Sequence, residues 1–269
     1  MKFRDAASRL AGLVPVLSQV KRQRDVLAAE QLEFFRKVIS KIVADSRAGV
    51  PTQDSLLEPR DLLGYQVDTV AKIDAVAENI QGWFGKDGGL LLYFLVRERI
   101  PVPLVVELGS WKGRSTVWLA SAIRERGEGR VFAVDTWPGA SYDSIYQPLL
   151  RGYKGSQLFD EFQQNVRTAG LQQFVEPIRR TTIDAARSWP KERQIGLILM
   201  DADHSYEAVK QDFDDWIPFL AEGGYVVFDD VPGWVGPTKF VLELLLEPCA
   251  FLKIAGASQN QIVLRKVRL

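Results

Sequence analysis

A regular alternation of short apolar runs with amphipathic segments begins near Val102, and it constrains the fold of this chain more than any other feature. The runs predict strands at residues 104–108, 131–134, 174–178, 195–200 and 225–228, and the segments that follow them predict helices at residues 114–124, 156–169, 184–189, 206–220 and 239–246. Such alternation predicts an α/β fold with a doubly wound, mostly parallel sheet. Segments 251–254 and 261–266 predict a final hairpin with an antiparallel edge strand, which makes seven strands.

The first 80 residues have a different pattern. Their apolar residues recur at helical spacing, as at Leu10, Leu13 and Leu17, and predict an α-helical N-terminal arm, with residues 48–64 as a connector and a helix at 67–80. We therefore divide the chain into a helical arm or cap, residues 1–80, and a ligand-binding domain, residues 81–269. An apolar stripe needs a cover, so we expect the arm to pack on this domain or on a second copy of the chain, with a dimer favoured; membrane-surface binding is the alternative.

The composition limits the class of partner. Lysine and arginine total 34, as do aspartate and glutamate, and this balance argues against broad affinity for nucleic acid or anionic membranes. The single cysteine, Cys249, excludes an internal disulfide and a thiolate zinc cluster, which fits a cytoplasmic location. The apolar stretch 10–20 is too short for a membrane span and lacks a cleavage site. We expect a small-molecule partner.

Carboxylates follow two of the predicted strands directly. Asp201, Asp203 and His204 come just after strand 195–200, and Asp229 and Asp230 come just after strand 225–228. Parallel strands deliver these ends to one edge of the sheet, where several carboxylates need a counter-charge. A hard divalent cation such as Mg²⁺, bound by oxygen ligands, is the simplest counter-charge. The alternative is structural: a turn at 229–230 and a helix cap at Asp203.

A glycine turn follows the first strand of the sheet. The sequence Glu107-Leu-Gly-Ser-Trp-Lys-Gly113 allows a tight turn and a close approach of the backbone to a ligand, but its spacing is not the dinucleotide GxGxxG pattern. Asp135 ends the next strand, where an acid is placed to accept ribose hydroxyls; a helix cap or turn is the alternative. Together these features favour a nucleoside-containing cofactor.

Five sequence words carry a resemblance to a known family. They are Trp83-Phe-Gly-Lys-Asp-Gly-Gly-Leu-Leu-Leu-Tyr93, Val105-Val-Glu-Leu-Gly-Ser-Trp-Lys-Gly-Arg-Ser-Thr116, Val131-Phe-Ala-Val-Asp135, Leu199-Met-Asp-Ala-Asp-His-Ser-Tyr206 and Gly223-Gly-Tyr-Val-Val-Phe-Asp-Asp230. In this order the chain resembles the class I S-adenosylmethionine-dependent methyltransferases, which have a Rossmann-like sheet. In particular, it is similar to bacterial metal-dependent small-molecule O-methyltransferases, such as the macrolide and aminocoumarin sugar methyltransferases and the cephalosporin-biosynthesis protein.

The resemblance implies roles for individual residues. The methionine end of S-adenosylmethionine would lie against Glu107, Gly109 and Ser110, and the ribose against Asp135. We expect the full cofactor set to be Glu107, Gly109, Ser110, Gly113, Ser115, Asp135, Thr136, Thr181, Thr182 and Asp201. Many relatives have Gly-Asp near positions 181–183, so the threonines depart from the family. By the same resemblance, the Mg²⁺ ligands, or those of another divalent cation, would be Asp201, Asp229 and Asp230.

His204 is the only histidine of the chain and the candidate general base, because an imidazole suits proton abstraction near neutral pH; an ordinary capping or surface role is the alternative. With Asp201 it forms the predicted catalytic pair. The sequence thus predicts an O-methyltransferase that acts on a hydroxyl of a sugar, glycan or natural product. Two other hypotheses stay open: a nicotinamide-dependent Rossmann oxidoreductase, and a non-catalytic scaffold that keeps the fold.

Overall fold

The computed structural model of the protein describes residues 64–137, 152–246 and 251–268, together with single residues at 33, 37, 40, 41, 44, 57 and 62. Most of the expected N-terminal arm therefore lies outside the described residues, as do loop residues 138–151 and Cys249. Within the arm, Glu33, Lys37, Ser40, Lys41 and Ala44 are helical and exposed.

Helices and strands alternate through the described part of the chain. The α-helices are α1 (Val67–Glu78), α2 (Lys86–Phe94), α3 (Arg114–Arg126), α4 (Gln157–Thr168), α5 (Thr182–Arg187), α6 (Tyr206–Trp216) and α7 (Val235–Leu246). The strands are β1 (Leu104–Leu108), β2 (Arg130–Asp135), β3 (Val175–Arg179), β4 (Ile195–Met200), β5 (Leu220–Phe228), β6 (Leu252–Ala257) and β7 (Ile262–Lys266). A π-helical turn, Leu95–Arg99, extends α2, and a short 3₁₀ turn, Ile217–Phe219, extends α6.

The strands form one seven-stranded sheet in the order β3-β2-β1-β4-β5-β7-β6. Strands β1 to β5 pair in parallel, whereas β7 runs antiparallel to both β5 and β6. The predicted doubly wound, mostly parallel sheet with an antiparallel strand near one edge is therefore confirmed. Because β7 is antiparallel to β5, with Ile262 opposite Phe228, the turn between β6 and β7 lies at the edge of the sheet at which β1, β2, β4 and β5 end.

Two apolar cores cover the two faces of the sheet. Alternate residues of β1 show the division, since Val105 packs into the core formed with α1 to α4, and Val106 into the core formed with α5 to α7. Both side chains are fully buried, as expected for strands covered by helices on both faces. Helix α1 shares the first core through Val70, Ile73 and Ala77. The sheet is thus held rigidly, with its carboxyl edge left for ligands.

Helix α7 begins at Val235, four residues earlier than predicted, and the boundaries between α6 and β5 differ for local reasons. Helix α6 ends at Trp216 rather than near residue 220, and Pro218 lies in the 3₁₀ turn that follows it. Strand β5 consequently begins at Leu220, five residues earlier than predicted, and continues through Gly223 and Gly224. Within the residues that the structure describes, no helix combines the length and apolar character needed to cross a bilayer.

Candidate cofactor and metal site

Four strand ends meet at the carboxyl edge of the sheet. Backbone hydrogen bonds extend past the strands there: the Gly109 amide donates to the Val134 carbonyl at 2.9 Å, and the Asp201 amide donates to the Leu108 carbonyl at 2.9 Å. The Asp229 amide donates to the Met200 carbonyl at 3.1 Å. The glycine turn after β1 and the acids after β4 and β5 are therefore parts of one rigid edge.

Gly109 is required by the protein itself. Its φ is +85°, and a Cβ at this position would lie 1.9 Å from the Asp201 carbonyl oxygen. Any side chain would collide with backbone, which cannot yield as the end of a flexible side chain can. This glycine allows the turn after β1 to pack against the end of β4, and so fixes the distance between the two halves of the edge.

Glu107 is a buried carboxylate that the chain satisfies with hydroxyl groups. It accepts hydrogen bonds from Ser110 Oγ at 2.6 Å, from Ser115 Oγ at 2.7 Å and from Thr116 Oγ1 at 2.5 Å. Burial raises the pKa of Glu107, and the three hydroxyls act in the opposite direction. Three members of the predicted cofactor set, Glu107, Ser110 and Ser115, thus form one hydrogen-bonded unit at the start of α3, which begins after Gly113.

Asp135 holds the glycine turn in place. Its Oδ2 accepts the amides of Ser110 at 3.1 Å and Trp111 at 2.9 Å, and its Oδ1 accepts the amide of Trp137 at 2.9 Å. Burial nevertheless raises the pKa of Asp135, despite these amide donors. A carboxylate has about four acceptor positions, so main-chain donors already occupy most of them. The ribose role of Asp135 stays a prediction, and these amide donors leave little room on the carboxylate for two ribose hydroxyls.

The three threonines that were predicted to contact the cofactor follow strands β2 and β3. The Thr136 carbonyl accepts a hydrogen bond from Arg179 Nε at 3.4 Å. Thr181 caps α5 by accepting the Asp184 amide at 3.1 Å. The side chain of Thr182 is hydrogen-bonded to Asp212 on α6, and its carbonyl accepts from Trp216 Nε1. The last two residues therefore have structural partners, and their cofactor contacts stay predictions.

The acid half of the edge brings three candidate ligands together. One ligand atom each from Asp201, His204 and Asp230 lies within 4.8 Å of the other two. His204 Nε2 lies 2.7 Å from Asp230 Oδ2, and the imidazole, 8% exposed, stacks on Trp234 with ring centroids 4.4 Å apart. Two carboxylates and an imidazole at this spacing form a donor set that fits a divalent cation.

Asp229, the third predicted metal ligand, lies outside that group of three. Its carboxylate is hydrogen-bonded to the side chain of Gln261. Burial and the neighbouring Asp230 raise the pKa of Asp229 to about 7, and burial with the surrounding carboxylates raises the pKa of Asp201 well above its usual value. The electrostatic conflict expected from the sequence is therefore present, and His204, predicted as the base, lies within ligand distance of the acids.

Two further side chains at this edge were not predicted from the sequence. Asn260 Nδ2 donates to Asp230 Oδ1 at 2.8 Å, and Gln261 contacts Asp229 as described above. Their only sequence signal is two adjacent amides in the turn before the last strand. Asp203 accepts the Ser205 amide at 2.7 Å, and Ser205, rather than Asp203, caps α6.

One buried donor beside the glycine turn suits a bound cofactor. The indole N–H of Trp111 is buried and has no acceptor among the described residues. Trp111, Trp137 and Asp230, all at this edge, also have positive φ values of 46°, 45° and 59°, which are uncommon for residues other than glycine. Strained backbone of this kind clusters at ligand sites. The glycine turn thus offers an unused donor where the resemblance places the cofactor.

Comparisons with known proteins agree with this geometry. Residues 106–231, just under half of the chain, match the family model described as methyltransferase domain. An uncharacterized protein of Sinorhizobium fredii is 30% identical over 129 residues, which are 47% of this chain and 13% of that protein. The chain therefore spans only a small part of the length of this curated relative. The matched family segment contains every predicted site residue.

Two solved structures show the same fold. A putative O-methyltransferase from Klebsiella pneumoniae superposes with a TM-score of 0.53 at 16% identity, covering 75% of this chain and 90% of that one. An O-methyltransferase from Bacillus cereus, solved in complex with SAH, gives a TM-score of 0.52 at 17% identity, covering 78% and 96%. At these identities the two likenesses show the fold alone.

Proposed function

We propose that the protein is an S-adenosylmethionine-dependent O-methyltransferase that uses Mg²⁺ or another divalent cation and methylates a hydroxyl of a small molecule. The observation that carries this proposal is the joining, at one sheet edge, of the glycine turn with the group of Asp201, His204 and Asp230. The similar protein from Klebsiella pneumoniae is described as a putative O-methyltransferase and the one from Bacillus cereus as an O-methyltransferase in complex with SAH, and both agree with the proposal.

The residues divide between two ligands. Glu107, Ser110, Ser115 and Asp135 would hold the cofactor, with the Trp111 indole as a further donor, whereas Asp201 and Asp230, with Asp229 as the third predicted ligand, would hold the cation. When bound, the cofactor supplies an electrophilic methyl group and the cation makes a nearby hydroxyl more acidic. Fixed carboxylates on a rigid edge align the acceptor oxygen with the cofactor, and this alignment accounts for much of the acceleration.

His204 would take the proton of the acceptor hydroxyl. Asp230 Oδ2, 2.7 Å from Nε2, stabilises the imidazolium that results, and the stacked Trp234 ring fixes the plane of the imidazole. One imidazole nitrogen also lies within 4.8 Å of a carboxylate oxygen of Asp201, so a base and a ligand role compete at this residue. Measuring cation affinity and turnover separately in a His204 variant distinguishes these roles.

Several broader features belong to the same proposal. The acceptor would be a hydroxylated small molecule such as a sugar, a glycan or a natural product, and not a nucleic acid, because the chain is electrically balanced. We propose a cytoplasmic homo-oligomer, with a dimer favoured, in which residues 1–80 form the arm and residues 81–269 the methyltransferase domain.

Calorimetric titration tests the proposal directly. We expect the protein to bind S-adenosylhomocysteine and not NAD, and to bind Mn²⁺, a paramagnetic substitute for Mg²⁺, at a single site. A panel of catechols, sugars and hydroxylated polyketides then identifies acceptors by release of S-adenosylhomocysteine. Binding of NAD alone would favour the oxidoreductase alternative, and binding of neither nucleoside would favour the scaffold.

A further inference from the structure

The turn between β6 and β7, residues 258–261, lies against the acid half of the edge and is called the amide turn below. It reaches this edge because β7 is antiparallel to β5: Ile262 pairs with Phe228, so Gln261 lies beside Asp229. The turn is closed by a hydrogen bond from the Ser258 amide to the Gln261 carbonyl at 3.0 Å. Its two adjacent amide side chains therefore face the two adjacent aspartates.

Asn260 holds Asp230 and the residue after it by two hydrogen bonds. Its Nδ2 donates to Asp230 Oδ1 at 2.8 Å, and its carbonyl accepts the amide of Val231, the next residue, at 3.0 Å. Asp230 has a left-handed backbone, with φ of 59°, so it needs outside contacts to keep one conformation. With Oδ1 occupied by the amide, Oδ2 is the oxygen that faces His204.

Gln261 holds Asp229 from within the core. The side chain is 1% exposed and hydrogen-bonded to the Asp229 carboxylate, and its Oε1 accepts from Ser258 Oγ at 3.3 Å. Its amide packs closely against Gly88 of α2, where a Cβ would come within 2.8 Å of Nε2. Gly88 therefore leaves the space that lets Gln261 reach the acid.

We propose that Asn260 and Gln261 are positioning residues that orient Asp230 and Asp229 for cation binding, an inference that rests on the proposed function. An uncharged amide fixes the direction of a carboxylate oxygen without neutralising its charge. A lysine or arginine at either position would neutralise the cluster and remove its attraction for a cation. Amides at both positions thus preserve the negative charge and restrict only the geometry.

Mn²⁺ affinity, followed by electron paramagnetic resonance, tests the inference without an acceptor. We expect Asn260→Ala and Gln261→Ala each to weaken Mn²⁺ binding by roughly 10- to 100-fold, the usual effect of losing an outer-shell partner, with affinity for S-adenosylhomocysteine changed less than about twofold. Asn79→Ala and Gln164→Ala are matched controls, because both amides bond only within their own helical segments. They should leave both affinities unchanged.

Gly88→Ala gives a second route to the same effect. The new methyl group would displace the Gln261 amide although residue 88 itself is a helix position, where alanine is better tolerated than glycine. We expect Gly88→Ala to weaken Mn²⁺ binding by about as much as Gln261→Ala, and the double variant to be no weaker than either, since both remove one contact.

The outcomes separate this inference from the function on which it rests. Wild type that binds Mn²⁺, with Asn260→Ala and Gln261→Ala unchanged in Mn²⁺ affinity, overturns the positioning role alone. Wild type that binds S-adenosylhomocysteine but no Mn²⁺ overturns both the cation site and its positioning residues. Lower melting temperatures with unchanged Mn²⁺ affinity would show that the amide turn is merely structural, and would also overturn the inference.

Discussion

The two halves of the carboxyl edge both contain buried acids, but they treat them differently. Glu107 receives three hydroxyl donors, and Asp135 receives three main-chain amides, all from within the glycine half of the edge. In the acid half, the charges that act most strongly on Asp201 all belong to other carboxylates. The glycine half thus supplies hydrogen-bond donors to its own acids, whereas in the acid half a positive charge from outside would relieve the repulsion around Asp201.

This difference indicates which half is shaped before its ligand arrives. The donors around Glu107 and Asp135 keep the glycine turn in one conformation, so a cofactor enters a site that is already formed. The aspartates of the acid half repel one another and are restrained by two uncharged amides and the histidine. A cation should therefore change the acid half much more than a cofactor changes the glycine half.

The largest effect should follow from removing a ligand of the acid half. Asp230→Ala deletes one carboxylate of the candidate donor set and the partner of His204. We expect Mn²⁺ affinity to fall by more than the roughly 100-fold upper range for outer-shell partners, with S-adenosylhomocysteine affinity retained. Paramagnetic resonance and calorimetry measure the two affinities. Equal loss of both would show that the halves are not independent.

Removing the imidazole should act on turnover. His204→Ala is expected to slow release of S-adenosylhomocysteine, with an accepted hydroxyl compound, by about 100-fold or more, the range for a lost general base. Affinity for the cofactor product should stay within about twofold. An unchanged rate would remove His204 as the base, and a matching loss of Mn²⁺ affinity would assign it to the ligand set.

A smaller effect is expected in the glycine half. Asp135→Asn keeps the side-chain volume but replaces a charged acceptor of backbone amides with a weaker one that also presents an N–H. Loss of a charged hydrogen bond costs about 2 kcal/mol, so affinity for S-adenosylhomocysteine should fall about 30-fold while Mn²⁺ affinity is preserved. Asp87→Asn, at an exposed residue in the first turn of α2, is the control. Tight binding by Asp135→Asn would contradict this assignment.

The smallest effect is expected from Asp212, a buried acid of α6. It lines a cavity of about 10 Å³ together with Asp201, Asp203 and Asp229, and burial raises its pKa to about 7. An acid with a raised pKa in the folded state binds protons that the unfolded chain releases. Stability should therefore fall as the pH rises from about 4 to about 7 and stay lower above it.

Replacing Asp212 should remove this loss of stability at high pH. At pH 8 we expect Asp212→Asn to melt roughly 2–4 °C above wild type, which corresponds to about 1 kcal/mol for a domain of this size, and to lose the advantage near pH 4. Thermal melts at the two pH values measure the change. Asp214→Asn, at an exposed residue of the same helix, should show no such dependence. A higher melting temperature for Asp212→Asn at pH 4 only would reverse the assignment.

The sequence predicted what depends on local pattern. Apolar runs that stop abruptly at Asp201 and Asp229 located two strand ends, and sheet geometry alone then placed them at one edge. Gln261 could not be found this way, because its importance depends on the insertion of β7 beside β5 and on the space left at Gly88. Pro218 is a local signal for the end of α6, because proline is disfavoured in the interior of a helix.

The reversed strand β7 also affects when the site can form during synthesis. The hydrogen bonds to Glu107 and Asp135 all lie within residues 107–137. The acid half needs Gly88, the two strand ends and the amide turn at 258–261, so it closes only when nearly the whole described chain has left the ribosome. Because a domain folds as a unit, the whole site forms only late in synthesis, and a chain that stops before the amide turn would lack the contacts that hold Asp229 and Asp230.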